Sequence, residues 1–178
     1  MLKKIAITLA VLLLALLAFA ATRPDSFRVQ RQIDIKAPPD KIFANVNDFH
    51  KWGGWSPWEK LDPAMKRSFS GADSGKGSVY VWDSKEAGSG RMEILDAPAA
   101  QAVKIKLDFT QPFEAHNTVD FTLAPQAGAA SPVTQVTWAM HGPSNFITKL
   151  VGVFFSMDAI VGKDFEKGLA DLKAVSEK

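Results

Sequence analysis

From Phe27 the chain alternates, with Phe27, Val29, Ile33 and Ile35 on one side and Arg28, Gln30, Gln32 and Asp34 on the other. That period of two is the mark of a half-buried strand. Arg31 falls on the apolar side. Ala37-Pro38-Pro39-Asp40 ends the strand and opens a helix, since proline is tolerated in a first turn and Ile42, Phe43, Val46 and Phe49 recur at helical spacing. Six more strands are predicted at 66–71, 78–83, 91–97, 101–110, 114–124 and 132–141, bounded by Gly, Pro, Ser and Asp, which makes seven in all. VKIKLDF puts Val103, Ile105, Leu107 and Phe109 on one face, and EAHNTVDFTL does the same for Ala115, Asn117, Val119, Phe121 and Leu123. In the last strand Val136, Trp138 and Met140 share the inner face. One-sided strands suit an antiparallel sheet that keeps its other face in water. PQAGAASP at 125–132 reads as a long hairpin loop.

The apolar side of such a sheet needs a cover, and only the segment from Ser144 to Ser176 is large enough. Ile147, Val151, Phe154, Val161, Phe165, Leu169, Leu172 and Val175 approximate a helical stripe there. Gly152, Gly162 and Gly168 each cost up to about 1 kcal/mol relative to alanine in a helix, so a break is expected, placed around Ser156 to Gly162. The expectation is one long helix, or a short one followed by a long one, across a curved seven-stranded sheet: an α+β architecture of two layers.

Ahead of this domain stands MLKK followed by IAITLAVLLLALLAFAA, apolar from Ile5 to Ala21 except for Thr8. The run reaches the lower limit of about 17–25 residues for a spanning helix and exceeds the 7–15 of a secretory core, so residues 5–21 are expected to anchor the chain in a membrane. Ala18-Phe19-Ala20 is also an acceptable cleavage site, which leaves a removed signal peptide as the alternative. In both cases Lys3 and Lys4 stay on the cytoplasmic side and the domain faces the periplasm or cell exterior. Residues 1–22 are therefore set apart from a domain over 26–178. With those two lysines set aside, the 21 basic residues of the chain match its 19 acidic ones. A neutral body without a basic run gives nucleic acid no electrostatic hold. The absence of cysteine excludes disulfides, thiolate metal sites and a cysteine nucleophile.

HKWGGWSPWEK at 50–60 gathers Trp52, Trp55 and Trp58 around Gly53-Gly54 and Ser56-Pro57. Glycine is poor in either regular element and Pro57 pushes Ser56 towards extended geometry, so the segment reads as a loop. Three roles remain open for its indoles: packing on the end of the sheet to close one mouth of a cavity, lining that cavity or its entrance, or sitting exposed at a membrane interface.

The order of elements, together with particular motifs, resembles the helix-grip fold of the polyketide cyclase/dehydrase branch of the SRPBCC superfamily, which also holds START-like lipid-transfer domains and pollen-allergen-type carriers. The motifs are V-x-R-x-I-x-I-x-A-P-P at Val29 to Pro39, N-D-F-x-x-W-x-x-W-S-P-W at Asn47 to Trp58, G-x-G-S-V-Y-x-W at Gly75 to Trp82, T-Q-V-T-W at Thr134 to Trp138, and G-K-D-F-E-K-G-L-x-x-L at Gly162 to Leu172. The similarity implies a cavity between sheet and C-terminal helix that takes a hydrophobic small molecule or lipid. It does not by itself imply catalysis, because fold alone does not fix function.

Nucleophile and metal signatures are absent: there is no H-E-x-x-H, no G-x-S-x-G and no phosphate-cradling loop, and no metal or cofactor is expected. His116 falls on a polar strand face with Glu114, Thr118 and Asp120; His50 and His141 lack a second ligand at metal spacing. Inward polar residues carry more information, because a polar group among apolar ones needs a partner or a ligand. These are Arg31, Asn117, Tyr80 and, at the strand end, Thr134; Asp158 interrupts the helical stripe. Either Arg31 pairs internally with Asp158 while Asn117 bonds backbone, or Arg31, Asn117 and Tyr80 orient a ligand. The candidate cavity residues are Arg31, Trp55, Trp58, Tyr80, Trp82, Phe109, Asn117, Phe121, Trp138, Phe154 and Asp158. Three functions fit: a non-catalytic carrier, a cyclase/dehydrase-like enzyme using the same cavity, and an envelope interaction domain with a closed core.

Overall fold

The computed structural model describes residues 1–128 and 131–178; positions 129 and 130, at the centre of the expected 125–132 loop, lie outside the described residues. The leader forms one helix, α1 (Leu2–Ala21), long and apolar enough to cross a membrane. Seven strands follow its pattern of alternation: β1 (Ser26–Ile35), β2 (Lys66–Gly71), β3 (Ser78–Asp83), β4 (Ser89–Asp96), β5 (Ala102–Gln111), β6 (Ala115–Pro125) and β7 (Thr134–Pro143). They build one antiparallel sheet in the order β1-β7-β6-β5-β4-β3-β2. Every connection but the first joins neighbours. Between β1 and β2 the chain makes α2 (Pro39–Val46), with proline in its first turn, and two short 3-10 turns at Phe49–Gly54 and Pro57–Lys60.

The register places Arg31 opposite Trp138 and Phe121 opposite Trp138 on its other side, so the inner faces of β1, β7 and β6 align. Two helices close the chain: α3 (Phe146–Val151), capped by the Asn145 side chain, and α4 (Met157–Ser176), capped by the Ser156 hydroxyl. Phe165, Leu169 and Leu172 of α4 are buried against Val29, Ile35, Val136 and Trp138. At about 25 cal/mol per Å² such apolar burial is the main force that seats the helix on the sheet.

The break in the C-terminal segment differs from the expectation. It lies at 152–156, ahead of Ser156–Gly162, because Gly152 ends α3 and the hydroxyl of Ser156 starts α4. Gly162 and Gly168 stay helical and serve packing. A Cβ at 162 would stand 2.3 Å from Arg31 Nη2, and one at 168 would stand 2.7 Å from the Trp138 ring. The turn also removes Ile147, Val151 and Phe154 from the core stripe; all three are exposed.

Candidate functional site

Inward side chains of β3 to β7 do not meet α4 everywhere. Between them lies a cavity of about 480 Å³, walled by Tyr80 and Trp82 of β3, Met92 of β4, Leu107 and Phe109 of β5, Asn117 and Val119 of β6, and Trp138 and Met140 of β7. Met157, Val161 and Phe165 of α4 roof it, and Trp52, Trp58 and Glu59 close one side. The volume falls within the ~300–1,000 Å³ of small-molecule sites. The core is therefore not packed shut.

Local chemistry explains how the tryptophan segment closes that side. The last carbonyls of a helix lack intrahelical partners. Trp52 Nε1 donates to Val46 O at 3.0 Å and Trp55 Nε1 to Asn45 O at 3.1 Å, so two indoles cap the end of α2. Their rings then stack inward: Trp52 to Trp55 at 4.8 Å, Trp55 to Trp138 at 5.6 Å and Trp58 to Trp138 at 5.6 Å, all edge-on or tilted. Trp52 and Trp55 are 3% and 0% exposed, and Trp58 is half-buried against Trp138 and Phe165. A role for Trp52 or Trp55 as exposed membrane-interface residues is thereby corrected. The loop is also more regular than expected, since its two 3-10 turns provide the tight spacing that brings the rings together.

The polar points of the wall are few. Tyr80 Oη donates to Glu59 Oε1 at 2.5 Å, while Arg67 Nε donates to Glu59 Oε2 at 2.7 Å. Arg67 also holds the Glu59 and Met65 carbonyls, which fixes this end of the loop to β2. Burial pushes the Tyr80 phenol well above its ordinary range, and the adjacent Glu59 carboxylate pushes it further; Arg67 offsets part of this. The phenol stays protonated and donating at neutral pH. Asn117 is 8% exposed, borders the cavity and forms no side-chain hydrogen bond among the described residues, so the expected backbone bond is not made. Thr134, in contrast, donates to Ala37 O at 2.8 Å. The Trp138 indole N–H is buried without a partner among the described residues, a state that costs about 1–3 kcal/mol.

Of the predicted cavity residues, Trp58, Tyr80, Trp82, Phe109, Asn117 and Trp138 meet at this wall. Trp55 and Phe121 are fully buried in the layer behind it. Phe154 points to solvent at 66% exposure, because the chain turns before α4. Arg31 and Asp158 do pair, but at the solvent-exposed edge of the sheet rather than internally: Nη1 to Oδ1 is 2.7 Å, Arg31 Nε reaches Glu166 at 2.7 Å, and the two carboxylate side chains are 57% and 60% exposed. This clamp ties α4 to the edge strand β1 and lies outside the cavity. The hydrogen bond from Arg31 holds the Asp158 carboxyl below the usual aspartate range.

Sequence reasoning missed Glu59 and the methionine-rich wall of Met65, Met92 and Met157, and it set Trp52 in the tryptophan segment without singling it out for the cavity wall. No local signal marks Glu59, whose partners stand eight and twenty-one residues away in the chain. The histidines sit elsewhere. His116 pairs with Asp108 and His141 with Asp120 on the outer face of the sheet, and His50 with Asp48.

The family model described as "Polyketide cyclase / dehydrase and lipid transport" matches residues 26–177. No curated protein matches the chain. Among solved structures, a protein from Thermobifida fusca superposes with a TM-score of 0.61 at 14% identity, covering 84% of this chain and 92% of its own. Protein CV1439 from Chromobacterium violaceum gives 0.57 at 13% identity, over 88% of this chain and 99% of its own. The Aha1 dimer from Colwellia psychrerythraea gives 0.57 at 16% identity, over 85% and 96%. At such identities the similarity concerns the fold alone.

Proposed function

The chain belongs to the polyketide cyclase/dehydrase and lipid transport family, and on that premise we propose that it is a membrane-tethered binding domain for a hydrophobic small molecule or lipid. The observation that carries this reading is the mainly apolar and aromatic cavity of about 480 Å³ with a few polar points at Tyr80, Glu59 and Asn117. Apolar walls supply affinity and a small number of convergent polar groups set orientation. Tethering is supported by the length and apolarity of α1 and by Lys3 and Lys4 at its start, which favour the cytoplasmic side and leave the domain outside. Native mass spectrometry of the full chain, released from detergent with whatever co-purifies, tests the binding reading. An apolar ligand at one copy per chain is expected; a chain that carries nothing and takes up no offered lipid overturns it.

The Tyr80–Glu59 contact at the wall favours a second reading, an enzyme that acts on the bound molecule. A phenol that keeps its proton can donate to a ligand oxygen, provided it leaves Glu59 to do so. Tyr80→Phe and Asn117→Ala separate the two. In a carrier each change weakens binding by about 0.5–1.5 kcal/mol. In an enzyme, loss of a group that acts in the transition state lowers turnover by roughly 100-fold or more while affinity barely moves.

A further inference from the structure

The last turns of α1 pack on α3: Leu16 and Leu17 are half-buried and Ala20 is fully buried. Asp25, just beyond α1, pairs with Lys149 of α3, and its carbonyl accepts from Ser144 N at 2.7 Å. The leader is thus fixed against the α3 corner of the domain. That corner is unusually apolar on its outside. Phe146, Ile147, Val151, Phe154, Phe155 and Ile160 are 45–66% exposed, and from Phe146 to Ile160 the only charged side chains are Lys149 and Asp158, the latter turned to Arg31 of β1. Lys149 is folded back onto Asp25, with 12% of its side chain exposed.

We infer that the segment from Phe146 to Ile160 is seated in the surface of the same bilayer that α1 enters, so that a wall of the cavity faces lipid. This rests on the tethered reading of α1. Depth supports the bilayer as occupant. The shielded positions of α1 run from Leu16 to Ala20, which at ~1.5 Å per residue is about 6 Å of helix below the exit point. Interfacial apolar faces enter the headgroup and acyl boundary by ~5–10 Å. A helix held beside a spanning segment over that distance puts its outward side chains at that depth. Six large apolar side chains then leave water, where a soluble surface would have to hide them against protein. The same segment is structural wall: Thr148 and Met157 line the cavity, as does Pro112, the neighbour of the 74%-exposed Phe113. A lipid-like molecule can therefore exchange between cavity and bilayer across this segment.

Because the chain contains no cysteine, single-cysteine variants can be spin-labelled without background. The full chain carrying Val151→Cys, Phe155→Cys, Leu12→Cys or Lys104→Cys is reconstituted in phosphatidylcholine/phosphatidylglycerol vesicles. Power saturation then compares dissolved oxygen, enriched in lipid, with a water-soluble nickel chelate. The labels at 151, 155 and 12 should respond to oxygen and be shielded from nickel, and the label at 104, on the water face of β5, should do the reverse. Nickel access at both 151 and 155 with 12 shielded overturns the inference and leaves the tether standing. Nickel access at 12 removes the tether and the inference with it. Shielding of 151 and 155 from both reagents, with dipolar broadening between labels, means a second copy covers the patch and also overturns the inference. Since 151 and 155 are exposed, neither replacement threatens the core; agreement between them guards against a local artefact of one label. The cavity reading is judged separately, by the co-purified molecule.

Discussion

Replacing Trp138 probes the core and the cavity wall at once. The side chain is 2% exposed, stacks on Phe165 at 4.3 Å with planes 9° apart, and touches Phe121, Trp55 and Trp58. Burying an aromatic of ~150–250 Å² at about 25 cal/mol per Å² is worth about 4–6 kcal/mol as an upper figure. Measured losses for Trp→Ala in cores run to about 3–5 kcal/mol. One term works the other way, because the indole N–H has no partner among the described residues and its removal recovers part of ~1–3 kcal/mol. Trp138→Ala should therefore cost about 3 kcal/mol, and Trp138→Phe, which keeps the ring on Phe165 and drops the orphaned donor, about 1 kcal/mol or less. Urea unfolding of the full chain in detergent, followed by near-ultraviolet circular dichroism, reads this out. With a slope of ~2 kcal/mol per molar, the alanine midpoint should fall by about 1.5 M. An alanine midpoint within ~0.3 M of the parent would refute the packing argument. A phenylalanine variant as damaged as the alanine one would show that the N–H is satisfied in solution, by a ligand or by water.

Full-length protein expressed in a bacterial host should remain with the membrane at unreduced mass, and an intact mass for a chain beginning at Ala21 would replace the anchor with a cleaved signal. Gly168→Ala sets a helix-propensity gain of up to about 1 kcal/mol against overpacking of ~1–3 kcal/mol; with Trp138 at 2.7 Å from the new methyl, the clash should win and lower the unfolding midpoint. Asp62 accepts from the Ser84 hydroxyl at 2.7 Å and from Ala64 N at 2.8 Å, and the Ser84 bond chiefly holds its carboxyl below the ordinary range. Its stabilising contribution is thus present above the unfolded value near ~3.9 and is lost as pH falls through the lower folded value. Stability measured against pH should decline less steeply below about 4 in Asp62→Asn than in the parent, and parallel curves would dismiss the linkage.

Most strands were legible because they keep one face dry, and a period of two survives in the sequence wherever that holds, as in Val103 to Phe109; the edge strand β2, exposed throughout, was legible from its flanking turn residues. The C-terminal break was not, because propensity treats every helical glycine as a weak point while packing decides. Gly162 makes room for Arg31 and Gly168 for Trp138, neither of which is near in the chain. The cavity wall was legible where it came from alternation, at Tyr80, Trp82, Phe109, Asn117 and Trp138. It failed at Phe154, where a turn broke the stripe, and at Glu59, whose place depends on a 3-10 turn meeting β2 and β3. Trp55 and Phe121 show the remaining limit: alternation tells which side of a sheet a residue faces, but not whether another ring stands between it and the void.

The aromatic rings also form an unbroken path: Trp82 to Tyr80, Tyr80 to Phe49, Phe49 to Trp52, then Trp55, Trp138 and Trp58, with no centroid step above 6.0 Å. All five tryptophans of the chain lie on it. Rings this close share excitation, so light absorbed anywhere in the cluster can be emitted or quenched at one member. Trp52, Trp58, Trp82 and Trp138 stand on the cavity wall, and a molecule that enters should alter the emission of the whole set. On the binding reading the domain would carry its own optical gauge of occupancy, to be read on the unlabelled protein.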